Sequence, residues 1–229
     1  MIGRTIAFLS VFMSLGDTAF KKGLASRRRN LRSSLMNITG SMVGIRMEFR
    51  QGRLVLLAGH EENCLHFIRQ AQAADVSPKM WVFTVGSPTA DFRKTLGKAA
   101  DYAYGMTPWL EDMEVGGEVF RSAKEFGTQF RGRFGYEADY HVASGAVDVL
   151  IYKIAIEKAN SLDPKKVRDA IASLDAETFY GRVKFESTGQ IAMGQVLIQI
   201  LDGKVVPIYA AGKMIGKPVY PMPKWSQRK

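Results

Sequence analysis

From Leu54 onward the chain alternates short apolar runs with amphipathic stretches. Leu54–Ala58 is an apolar run of strand length. Glu61–Ala74 follows, with Cys64, Phe67, Ile68 and Ala71 at the i, i+3, i+4, i+7 spacing of one helix face. Met80–Val85 is the next apolar run, and Gly86-Ser87-Pro88 closes it. Asp91–Leu96 predicts a short helix that ends at Gly97, and Asp101–Met106 a strand stopped by Thr107-Pro108. This alternation predicts an α/β fold with a parallel sheet and helices on its faces.

The pattern then turns helical. Val115–Phe134 predicts a helix stopped near Gly135. Ala138–Asn160 predicts a longer one, with Val147, Leu150, Ile151 and Ile154 as its apolar stripe. Asp163 before Pro164 is a helix start, with an N-cap acid and a proline at the first helical position. The end of the chain reads as β: "RVKFESTGQ" is a strand into a turn, and "QVLIQILDGKVVPIYA" a hairpin about Asp202-Gly203. Pro207 donates no hydrogen bond, so the second strand is expected at an edge or a paired end.

Residues 24–53 break the pattern, with a basic start and one strand-like run at Met42–Phe49. Only four residues separate that run from Leu54. A parallel neighbour needs a crossover of about a dozen residues. The run is therefore antiparallel to the next strand, or irregular, or a helix is missing; the last two are favoured here.

Charge sharpens this division. The net charge is +10, but residues 1–53 hold ten Lys/Arg and only two acids, Asp17 and Glu48. The excess is one basic segment, not a basic surface, and no nucleic-acid partner is expected. The first twenty residues fit a buried strand at Thr5–Phe12 better than a signal peptide, because Asp17, Lys21 and Lys22 crowd the cleavage region. No apolar run reaches the ~18 residues of a membrane-spanning helix. A single cysteine, Cys64, excludes an intrachain disulfide.

From about Arg53 onward the chain resembles the type I periplasmic solute-binding proteins of ABC transporters, leucine/isoleucine/valine-binding branch. The residues carrying the resemblance are "LLAGHEENCLHFIRQAQ", "VFTVGSPTADFRKTLGKAADYAYGMTPW", "FGYEADYHVASGAVDVLIYKIAIEKANSLDPKKVRDAIASLD", "TFYGRVKFESTGQ" and "LDGKVVPIYA". Their order and spacing are more specific than any one of them. The resemblance implies a Rossmann-like parallel-sheet lobe plus helices from a partial second lobe. Residues 1–106 match the C-terminal-lobe core, with 24–53 irregular. Residues 107–176 match the helical part of the N-terminal lobe, and 177–229 a crossover, a β-hairpin and a tail. The family's first lobe begins with βα units ahead of the position matching Met1, so the chain is expected to be N-terminally incomplete.

The implied function is non-catalytic: capture of a small solute, an amino acid or related carboxylate, in an interlobe cleft. Delivery to an ABC permease of the inner membrane follows, in a periplasmic location. Alternatives are a ligand-sensing module of the same fold, or a truncated remnant with little binding.

Ligands of open α/β sheets bind beyond the carboxyl ends of the strands. That rule and the resemblance select four residues. His60 matches a ligand-contacting position and can donate, accept or stack. Glu61 heads a helix, where a carboxylate either favours the dipole or reaches the ligand. Ser87 offers a hydroxyl, and Trp109 a cleft wall or a packed hinge residue. Val85 falls where family amino-acid binders carry an acid that accepts the ligand's ammonium. No catalytic residue, cofactor or metal is expected. In "HEENCLH" the histidines are six apart, and His66 points away from the face shared by His60 and Cys64. His141 reads as a helix-start residue.

Overall fold

The computed structural model describes residues 32–36, 43–49, 52–191 and 193–228. The strand expected at Thr5–Phe12 lies outside them. The chain divides into two compact units at Thr107/Pro108 and again at Gly194/Gln195.

The first unit is built on one mixed sheet. Its strands are β1 (Arg32–Met36), β2 (Val43–Phe49), β3 (Gly52–Ala58), β4 (Met80–Phe83), β5 (Tyr104–Thr107), β8 (Val196–Leu201), β9 (Lys204–Ala210) and β10 (Lys213–Met214), in that spatial order. β3, β4 and β5 are parallel. Helix α1 (Glu61–Ala73) connects β3 to β4, and α2 (Ala90–Leu96) lies between β4 and β5. All other pairings are antiparallel.

The basic region differs from the irregular segment favoured on sequence. β2 runs antiparallel to β3, with Phe49 opposite Gly52 and Val43 opposite Ala58. β1 in turn pairs antiparallel with β2. The physical reason is the short link: an antiparallel neighbour needs no crossover.

Central strand β4 explains why its run is apolar throughout. All four of its residues are buried. Met80 and Val82 join Leu54, Tyr104, Leu197 and Ile208 in one cluster. The alternate residues meet the helices: Trp81 packs edge-on against Phe67 of α1, and Phe83 against Phe92 of α2. Each such side chain contributes about 1.5–3 kcal/mol through burial.

The predicted hairpin forms about Asp202 and Gly203, whose φ values of 50° and 71° are the positive pair a type I′ turn requires. Pro207 sits opposite Ile198, beside a register shift, where a missing N–H is tolerated. The C-terminal tail closes the amino end of the sheet. Val219 exchanges hydrogen bonds with the side chain of buried Gln199 and accepts another from the Tyr104 hydroxyl. Met222 N–H donates to the Lys79 carbonyl, and Trp225 Nε1 to that of Val76.

The second unit runs from Pro108 to Gly194. It holds α3 (Ala123–Phe134), α4 (Tyr140–Ala159), α5 (Pro164–Ala172) and a hairpin of β6 (Asp175–Thr178) with β7 (Gly181–Lys184). Its core is aromatic: Phe126 stacks on Phe179 at 4.2 Å, and Phe120 packs edge-on to both. One expectation shifts here. The helix predicted from Val115 starts only at Ala123, because Ser122 caps it by accepting from Glu125 N–H. Gly117, ahead of it, lies so close to the Glu177 carbonyl that a Cβ would run into it. Residues 177–194 fall in this unit, with Phe179, Tyr180 and Val183 buried in the aromatic core.

Candidate functional site

The carboxyl ends of β3 and β4 carry two loops that lead into α1 and α2. His60 is the N-cap of α1, with extended backbone (φ −71°, ψ 165°). Its N–H donates to Asn63 Oδ1 at 3.2 Å, and its carbonyl accepts from the N–H groups of Asn63 and Cys64. These bonds fix the His60 backbone while the residue itself is exposed. Its imidazole stands at the carboxyl end of a buried strand.

Glu61 is half-buried and turns toward the neighbouring loop. Its Oε1 accepts from the Thr89 hydroxyl at 2.6 Å. Thr89 caps α2, accepting from Phe92 N–H at 3.2 Å, and its Oγ1 is 2.7 Å from the Gly86 carbonyl. Gly86 has φ +83°, and a Cβ there would meet the Glu61 Cα at 2.9 Å. Only glycine permits this approach of the two loops.

Beneath both loops lies Cys64. Its Sγ is 3.8 Å from the carbonyls of Gly59 and Val85. Burial, then the Glu61 charge, push the thiol up from 9.0 to about 12. It stays protonated at neutral pH. Val85 carries an apolar side chain, and its carbonyl accepts from the thiol.

Ser87 is fully buried, and its Oγ has no hydrogen-bond partner among the described residues. The hydroxyl fits because the neighbouring strand carries Gly105, where a Cβ would overlap it. In the second unit, Trp109 is 2% exposed, donates from Nε1 to the Phe179 carbonyl at 3.0 Å and packs edge-on to Phe126. Of the four residues expected at a site, then, His60 is exposed, Glu61 is braced, and Ser87 and Trp109 are packed inside. His141 lies in the first turn of α4, its N–H bound to Asp139 Oδ1. His66 is exposed on α1.

Sequence reasoning missed Thr89 and the closeness of Gly86 to Glu61. A threonine directly before "ADF" is a legible helix cap. Its bond to Glu61, across 28 positions, is tertiary.

Comparison with known proteins extends the picture. The profile of the family described as periplasmic binding protein matches residues 50–204. Among solved structures, a leucine-binding protein of Thermotoga maritima is similar over 69% of this chain and 44% of its own, with a TM-score of 0.58 and 17% identity. A branched-chain amino acid transporter substrate-binding protein of Streptococcus pneumoniae, solved with isoleucine, is similar over 84% of this chain and 49% of its own. Its TM-score is 0.58 and its identity 16%. A branched-chain amino acid ABC transporter protein of Rhodospirillum rubrum, described as putative, gives 19% identity and a TM-score of 0.52, covering 67% and 43%. The likeness at these identities is one of fold, a type I periplasmic binding protein architecture, and the chain spans less than half of each of these structures. The match over residues 50–204 takes in the whole second unit, part of the first and most of the elements described above, and by it the chain belongs to the periplasmic binding protein family.

Proposed function

We propose that this chain is the substrate-binding component of a branched-chain amino acid-type ABC transporter. It captures a small solute without chemistry and delivers it to an inner-membrane permease from the periplasm. The observation carrying this reading is the family match across residues 50–204. The exposed His60 at the carboxyl end of β3 supports it, because that is the ligand end of an α/β sheet.

In this reading His60 contacts the solute with its imidazole. Glu61 orders the loop and Ser87 shapes the wall behind it, as its burial suits, while Trp109 packs within the second unit. Val85 cannot pair with an ammonium, so recognition on this side rests on hydrogen bonding and stacking by His60. The solute is an amino acid or a related carboxylate whose amino group, if present, is held elsewhere.

Calorimetry of the 229-residue chain against leucine, isoleucine, valine and aromatic carboxylates tests the proposal. Saturable binding of one of them is expected, weakened at least about tenfold in His60→Ala, the loss of one good polar contact. Folding stability of that variant should change by less than about 0.5 kcal/mol, since His60 is exposed. A panel with no saturable binding, or His60→Ala binding as wild type does, would overturn it.

A further inference from the structure

The two loops at the carboxyl end of the sheet are joined by a side-chain hydrogen bond whose geometry is specific. Glu61 belongs to the β3–α1 connection and Thr89 to the β4–α2 connection. The Thr89 hydroxyl stands 2.6 Å from Glu61 Oε1 and 2.7 Å from the Gly86 carbonyl. A hydroxyl has one proton, so it serves one of these acceptors at a time. The ionised carboxylate is the stronger acceptor, and charge-assisted bonds of this kind are short. Thr89 is 3% exposed, so water competes little for the bond. The same oxygen accepts from Phe92 N–H, which ties the bond to the first turn of α2. At the other end, Glu61 is the first residue of α1, directly after His60.

We propose that Glu61 and Thr89 form a latch that sets the spacing of the two loops, which makes Thr89 a positioning residue for His60. The functional sense of the latch rests on the reading of these loops as the solute end; its existence does not. Gly86 keeps the loops close enough for the latch, and Cys64 fills the space beneath it. Loss of the hydroxyl frees the β3–α1 loop, although Thr89 lies in the other one.

Amide hydrogen exchange of the ligand-free 229-residue chain tests this. In Thr89→Val, amides of residues 61–64 should exchange about tenfold faster, the factor one charge-assisted bond commands. Glu61→Gln should speed exchange at residues 89–92 in return. Thr89→Ser keeps the oxygen and should restore wild-type protection in both loops. The double variant should be no faster than the faster single one. The latch is rejected if Thr89→Val loosens only residues 89–92, where the lost cap alone accounts for it, or if the two single effects add. Should Thr89→Val not fold, Glu61→Gln against Thr89→Ser decides: unchanged protection at residues 89–92 in Glu61→Gln rejects the proposal. Solute binding is measured separately. An empty calorimetric panel with coupled loop exchange would sink the transport reading and leave the latch standing.

Discussion

The sheet of the first unit has two unlike ends. At the amino end the chain's own tail satisfies what the strands leave over. Gln199, Tyr104, Lys79 and Val76 all bond to residues 219–225, and Arg228 lies over the Trp225 ring at 3.7 Å. At the carboxyl end the loops brace each other through Glu61, Thr89 and Cys64, and His60 is left facing outward. The difference shows which end leaves a polar side chain exposed. At the amino end the polar groups are bonded within the chain, whereas His60 has its backbone satisfied and its imidazole exposed.

Removing the tail should have the largest effect on this contrast. Deletion of residues 217–229 removes the Val219 partners of Gln199 and of the Tyr104 hydroxyl, leaving Gln199 its bond to the Tyr102 carbonyl, and each buried group left short costs about 1–3 kcal/mol. A loss of about 3 kcal/mol or more in urea unfolding is expected. An unchanged midpoint would mean that the amino end does not depend on its seal. Next in size is Gly86→Ala, which adds strain at φ +83° and a clash with the Glu61 backbone. About 1–3 kcal/mol should be lost in the same measurement. A silent Gly86→Ala would mean the loops are not held close.

The smallest effect sharpens the comparison through pH. The Cys64 thiol is raised in the folded state, to about 12 from 9.0. Its contribution to stability is therefore whole below pH 9 and is lost as pH rises toward 12. Tyr104, raised by burial too, works in the same direction at the amino end. Cys64→Ala should thus lose less stability than wild type between pH 9 and 12, with the Tyr104 part remaining. Parallel unfolding curves for the two proteins across that window would show that the thiol beneath the loops is not so sensed.

Much of the fold was legible along the chain. The α1 stripe, the Asp163-Pro164 start and the Asp202-Gly203 turn are local signals, and local hydrogen bonds and φ preferences enforce them. The start of α3 was misread because apolar periodicity at Val115–Phe120 reflects packing of an irregular segment onto the aromatic core. The place of β2 was misread because a strand pattern does not name its neighbour. The hairpin link decided it.

The same division runs through the site. The sequence by itself determined that His60 stands at a strand's carboxyl end before a helix, since strand, turn and cap are all set by near neighbours. Only the tertiary structure decided what surrounds it: the Glu61–Thr89 bond, the burial of Ser87 against Gly105, and the seating of Trp109 on Phe179. Those contacts join residues far apart in the chain. Spacing along a sequence carries no distance across a sheet, and whether a polar side chain is spent or exposed is settled by that distance.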